Sequence, residues 1–289
     1  MVGDSSFSET EGARSGGAEA DRLFYAIWAL IFLASAAGTI ALCESMSGGM
    51  AMPGGWTMSM AWMPMGGAGP AGAAAAFLGM WIVMMIAMMA PSLVPTLSGY
   101  RDSVSRRAEA RDAALSVQTA LVVAGYFFVW TLFGAAAYAA GVVLTSAEMR
   151  WPWLARGVPV GIALVLFLAG CLQLTAWKMV RLRRCREDSA CHTEASSPSS
   201  SGRRGIVAAW RHGLRFGAHC SLCCSGFMAV LLAAGVMDLR VMAAVAAAIT
   251  AERLSPRPVT TARLIGAVMI AGGALGIALV LTLSSSAAR

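Results

Sequence analysis

Charge is what this chain has least of. Asp, Glu, Lys and Arg make up 13% of its 289 residues, while 58% are hydrophobic and the mean hydropathy is +0.68. A soluble domain typically carries about 25% charge, so a water-facing surface all round is excluded and a bilayer is the natural solvent. Also missing are a glycine-rich phosphate loop followed by Lys and Ser or Thr, an H-E-x-x-H pair and any internal repeat. Nucleotide-driven pumping and zincin-type hydrolysis therefore have no support. No base precedes Arg14, unlike the basic start of a cleavable signal, and no A-x-A-like site follows the apolar run Leu23–Cys43. Residues 1–21 read as a disordered cytoplasmic tail, and the run after them as a retained first span.

What is present is a series of long apolar runs. A spanning helix needs about 20 such residues, and the candidates are Leu23–Cys43, Ala73–Leu97, Ser116–Thr145, Gly157–Val180, Phe216–Met237, Leu239–Ala251 and Leu264–Leu283. The sixth is short: eleven uncharged residues between Arg240 and Glu252 give about 16 Å of helix. A re-entrant half-helix is its alternative. The net charge of +7 comes from bases crowded into short connections, which reads as topology and excludes a nucleic-acid surface. Seven spans with a cytoplasmic N-terminus leave only Arg150, Arg156, Arg240 and Arg289 of the 22 Lys and Arg outside. Six spans would add Arg253, Arg257 and Arg263 to the outside and return Arg289 to the cytoplasm. The expected fold is thus an all-α polytopic transmembrane bundle of about seven spans, six being possible. It forms one domain over residues 22–285, with an outer loop at 44–72 that lacks Lys and Arg and a basic cytoplasmic loop at 181–204.

Sulfur is concentrated in three places. Twelve of the 19 methionines lie between Met46 and Met89. Seven of them, Met46, Met50, Met52, Met58, Met60, Met63 and Met65, decorate the outer loop. Thioether sulfur is soft and uncharged, suited to Cu(I) or Ag(I) and of little use to Mg or Ca. The alternative is a loop lying on the membrane surface with Trp56 and Trp62 as interfacial anchors. In the second span Met80, Met84 and Met88 share a helix face with Met85 and Met89 alongside, a copper stripe or ordinary apolar filler. Pro91 and Pro95 should kink or end that helix.

The third place is His219-Cys220-Ser221-Leu222-Cys223-Cys224, with Met228 one turn beyond. Three thiols and an imidazole within six residues suit Cu(I), Ag(I) or Zn. Two other readings are open. Cys220-x-x-Cys223 has redox spacing, so a membrane thiol–disulfide oxidoreductase is one; an accessory subunit with a structural metal site is the other. Cys185, Cys191 and His192 read as solvated bystanders or a transient relay, and Cys43 and Cys171 as packing. Lys178 would snorkel, while Asp238–Arg240 and Glu252–Arg253 would pair at helix ends.

Several phrases in order resemble a bacterial family described as predicted metal-binding integral membrane proteins, a domain of unknown function. They are W-T-M-S-M-A-W-M-P-M, F-L-G-M-W-I-V-M-M-I-A-M-M-A-P-S, G-Y-F-F-V-W-T-L-F-G, A-G-C-L-Q-L-T-A-W-K, L-R-R-C-R, G-A-H-C-S-L-C-C-S-G-F-M-A-V-L-L-A-A-G-V-M-D-L-R-V-M and I-T-A-E-R-L, over roughly residues 56–254. The resemblance implies metal binding at His219, Cys220, Cys223 and Cys224 with the second-span methionines nearby, in a bacterial inner membrane. The expected function is copper transport, trafficking or homeostasis, with the lipid bilayer, the metal ion and a copper chaperone or enzyme-assembly partner as associates and no catalytic residue assigned.

Overall fold

The computed structural model describes residues 5–45, 49–52, 56–59, 69–107, 112–190 and 203–287. In chain order these form α1 (Ser5–Ser45), β1 (Gly49–Met52), β2 (Trp56–Ser59), α2 (Pro70–Arg107), α3 (Asp112–Arg150), α4 (Pro152–Leu174), α5 (Ala176–Ala190), α6 (Arg203–Ala234), α7 (Leu239–Leu254) and α8 (Pro258–Ala287). Six of the helices contain a stretch long and apolar enough to cross a membrane: Arg22–Ser45, Pro70–Gly99, Val117–Arg150, Pro152–Leu174, Gly205–Ala234 and Pro258–Leu283. Their outward faces are apolar too. Leu30 and Leu33 on α1 and Leu264, Val268 and Leu283 on α8 are all more than 60% exposed, an arrangement that suits lipid and is costly in water. This is consistent with a multi-pass membrane protein.

Residues 5–21 are helical, not the irregular tail expected from their composition. No proline interrupts them, and a helix already nucleated in the apolar run extends backwards at little cost. A two-stranded antiparallel hairpin breaks the otherwise helical fold within the expected outer loop, with Met50 opposite Met58 in its register. α2 does not end at Pro91 or Pro95. It runs on to Arg107, and Ser92, Thr96 and Ser98 donate their hydroxyls to the carbonyls of Met89, Ser92 and Pro95 around the two prolines.

The fourth apolar run does break, earlier than its hydropathy suggests. α4 stops at Leu174 because Thr175 is extended (φ −71°, ψ 150°), its hydroxyl and N–H both turned back onto the Leu172 carbonyl. α5 then starts at Ala176, and Lys178 in its first turn is buried.

Helix directions follow from which residues meet. Gly170 of α4 lies against Gly266 and Ile270 of α8, whereas Gly273 meets Phe167 and Gly276 meets Ala163, so α4 and α8 are antiparallel. Ala169 and Leu172 lie beside Gly226 of α6, while Lys178, further along, bonds to the Cys223 carbonyl. α4–α5 is therefore antiparallel to α6 as well. Hence α6 and α8 point the same way, and α7 must return between them. Its 16 residues make about 24 Å of helix. Gly235 (φ +126°) makes the turn between α6 and α7, a conformation only glycine adopts without strain. Asp238 then caps α7 by accepting from the N–H groups of Arg240 and Val241, and so does not form the expected ion pair with Arg240.

α3 and α6 lie backbone to backbone. A Cβ on Gly125 would sit 2.8 Å from the Trp210 carbonyl oxygen, and one on Gly213 would collide with that of Val122. Gly213→Ala should therefore push the helices apart and destabilise the protein by about 1–3 kcal/mol. Thermal unfolding in detergent, followed by a thiol-reactive probe, would measure this. Gly161→Ala is the control, because it faces open space and should leave the transition unmoved.

Candidate metal centre

α6 crosses the bundle with one face buried, and Cys220, Cys223 and Cys224 are all on it. The three do not share one environment. Cys220 and Cys224, one helical turn apart, join the main core, while Cys223 packs with Leu182 and Ala262 in a small separate cluster. Cys224 is hydrogen-bonded to both of its neighbours. None of the three forms a disulfide.

Two groups from distant helices reach the first pair. The Tyr126 hydroxyl of α3 lies 3.0 Å from the Cys220 sulfur. From the end of α7, Arg253 Nη2 donates to Cys220 Sγ at 2.9 Å and to Cys224 Sγ at 3.8 Å. Tyr126 is itself held by Phe216, ring centroids 5.1 Å apart, and by Phe127 edge-on. One guanidinium nitrogen thus ties the two sulfurs together from a different helix.

Beside the third thiol is a buried polar knot. Lys178 Nζ donates to the Cys223 carbonyl at 2.8 Å and pairs with Glu252 Oε2 at 2.9 Å, both side chains being only 2–3% exposed. Gln173 of α4 donates to the other Glu252 oxygen, and Phe227 lies under the ammonium at 5.1 Å. Lys178 thus does not snorkel, and Glu252 pairs with it and not with Arg253. The reason is the break at Thr175: it turns α5 so that the ammonium meets the carboxylate, and a buried charge is tolerable only when so matched.

The sulfur of α2 is in the same core as the thiol pair. Met80, Met84, Met85, Met88 and Met89 are buried there with Met228, which is fully enclosed. α2 packs along α1, α3, α5 and α7, and α6 along α3, α4, α5 and α7; α2 and α6 are not among the closely packed pairs. The stripe and the Cys220–Cys224 pair are therefore parts of one buried core, on helices that do not pack closely along each other. His219 and His212 are half-buried on α6. Among the described residues no three His, Cys, Asp or Glu side chains are grouped to hold one ion. The helix spreads positions 219 to 224 over an arc of about 140°, and within it Cys224 is hydrogen-bonded to Cys220 and to Cys223 while Arg253 donates to Cys220 and Cys224. Met60, Met63, Met65, Cys191 and His192 lie outside the described residues, as do the side chains of Met58 and Cys185.

Residues 78–276 match the model of the PpoB2 family, described as a copper chaperone. The chain belongs to that family. The matched span takes in the α2 methionines from Met80 on, Tyr126, Lys178, the three thiols, Glu252 and Arg253, and it leaves out the methionines of the outer loop. No curated protein and no solved structure matches the chain. Membership in PpoB2 gives the chain a role in copper handling. Tyr126 and Arg253, which reach the Cys220 sulfur, are the residues that sequence reasoning missed, although both lie inside the matched span.

Proposed function

We propose that this protein is a membrane-embedded chaperone for Cu(I), with Cys220 and Cys224 as the holding pair and the methionines as the supply. The observation that carries the reading is the placing of both sulfurs on one Arg253 nitrogen, in a buried core shared with the α2 stripe. Cu(I) is satisfied by two thiolates in near-linear array, and thioethers exchange as weaker third ligands. Two converging thiols therefore suffice. In this reading Met46–Met65 of the outer loop collect the ion, Met80–Met89 pass it, and Met228 stands behind the pair one turn deeper. Copper is the cargo. It leaves toward a copper chaperone or an enzyme under assembly.

The direction argument for α7 supports seven traverses with a short sixth, N-terminus in the cytoplasm and C-terminus outside. Arg253 at the end of α7 reaches the level of Cys220, and the part of α6 before it carries Arg203, Arg204, Arg211 and Arg215. Those bases support a thiol pair toward the cytoplasmic end of the bundle.

Copper analysis of the detergent-extracted chain tests this. The expected result is one Cu(I) per chain that survives a moderate chelator, lost when Cys220, Cys223 and Cys224 are all changed to Ser. Equal metal in the two preparations would sink the proposal.

A further inference from the structure

The two sulfurs of the pair differ in what donates to them. Cys220 accepts from Arg253 Nη2 at 2.9 Å and lies 3.0 Å from the Tyr126 hydroxyl. Cys224 takes the same guanidinium nitrogen at 3.8 Å, together with the thiols of Cys220 and Cys223, which are weak donors. Among the described residues the Cys220 sulfur is the hydrogen-bond partner of the Tyr126 hydroxyl. That phenol is fully enclosed, with the rings of Phe216 at 5.1 Å, Phe127 at 5.2 Å and Trp130 at 6.5 Å, so its neighbours fix it in place.

A metal-bound thiolate has no proton to give, so in the loaded protein Tyr126 is the donor and Cys220 the acceptor. Such a bond strengthens with the charge on its acceptor. When the ion passes to an incoming thiolate, one sulfur–metal bond forms and another breaks, the bonding pair stays with the departing sulfur, and the metal keeps its oxidation state. The departing sulfur gains charge as its bond lengthens. A donor already aimed at it holds that charge better during the breaking than before it, which lowers the barrier to release more than it loosens the loaded state. We infer that Tyr126 is the release-promoting residue of the pair: it makes the bond to Cys220 the one that opens when the ion is handed to another thiol, while Cys224 holds on until last.

This inference rests on the metal-holding role proposed for Cys220 and Cys224. Its test loads the purified full-length chain with Cu(I) and follows transfer to excess glutathione, read by a chromophoric chelator that takes Cu(I) from glutathione. Tyr126→Phe keeps the ring and removes the donor. It should slow transfer about fivefold or more, the worth of one hydrogen bond, while the equilibrium affinity moves by less than about threefold. Unchanged or faster transfer would overturn the inference, as would a slowing matched by an equal gain in affinity, since the hydroxyl would then act on the site as a whole. In wild type, loading should also move the phenol C–O stretch of one tyrosine in the infrared difference spectrum, assigned with isotope-labelled tyrosine. No such movement would overturn the inference as well, and that measurement needs no variant to fold. Absence of Cu(I) binding in wild type would instead defeat the metal-holding role itself, which separates the two failures.

Discussion

Cys220→Ser and Cys224→Ser, made singly, should each weaken Cu(I) binding by about 100-fold or more, some 2.7 kcal/mol. Cys223→Ser should weaken it less than tenfold. The three thiols sit within five positions of one helix, so the sequence offers no reason to rank them. The ranking comes from what surrounds each sulfur. Cys220 and Cys224 share a guanidinium and the main core, whereas Cys223 faces Leu182 and Ala262. A serine hydroxyl is a hard, weakly acidic ligand that Cu(I) does not favour, so losing one of two thiolates removes half of the coordination sphere. Losing Cys223 removes a hydrogen-bond partner of Cys224 and leaves the two sulfurs that share the guanidinium in place. Titration with a chromophoric Cu(I) chelator would measure all three. A loss in Cys223→Ser as large as in the other two would rule out the two-sulfur site.

Lys178→Met and Glu252→Gln, made singly, should each cost about 3–5 kcal/mol of stability, because each leaves a buried polar or charged partner unmatched. For a protein of this size that is roughly 10 °C in Tm. The double variant should recover most of the loss, since no net charge is then left in the core and apolar replacement of a buried pair is commonly near neutral. The knot also ties four elements together. Gln173 of α4, Lys178 of α5 and Glu252 of α7 meet beside the Cys223 carbonyl of α6. The single variants should therefore loosen α7 as well, and with it Arg253. Thermal unfolding in detergent gives the stability, and thiol-labelling rates at Cys220 report the loosening. Additive losses in the double variant would mean that the pair is not the unit argued here.

Much of the site was legible along the chain because its sulfur is local. Met80, Met84, Met85, Met88 and Met89 lie within ten positions, and Cys220, Cys223 and Cys224 within five, so a helical period alone puts them on faces. Tyr126 and Arg253 were illegible as partners. They are 94 and 33 residues from Cys220, and only the packing of α3 and the return of α7 bring them there. Lys178 was misread for a similar reason. Its apolar run looks like one continuous helix ending in a snorkelling base, and nothing in hydropathy marks a break at Thr175.

By itself the sequence determined the helical architecture: apolar runs this poor in charge satisfy their backbone polar groups within helices, whatever the contacts between them, and six of those helices are long and apolar enough to cross a membrane. It also fixed where the soft sulfur lies, in clusters of methionine and cysteine close together along the chain. Only the tertiary structure decided which sulfurs share a guanidinium and the main core, and that α7 returns between two like-directed helices. Each of those depends on residues far apart in sequence meeting at ångström distances, and hydrophobic periodicity, being local, carries no record of them.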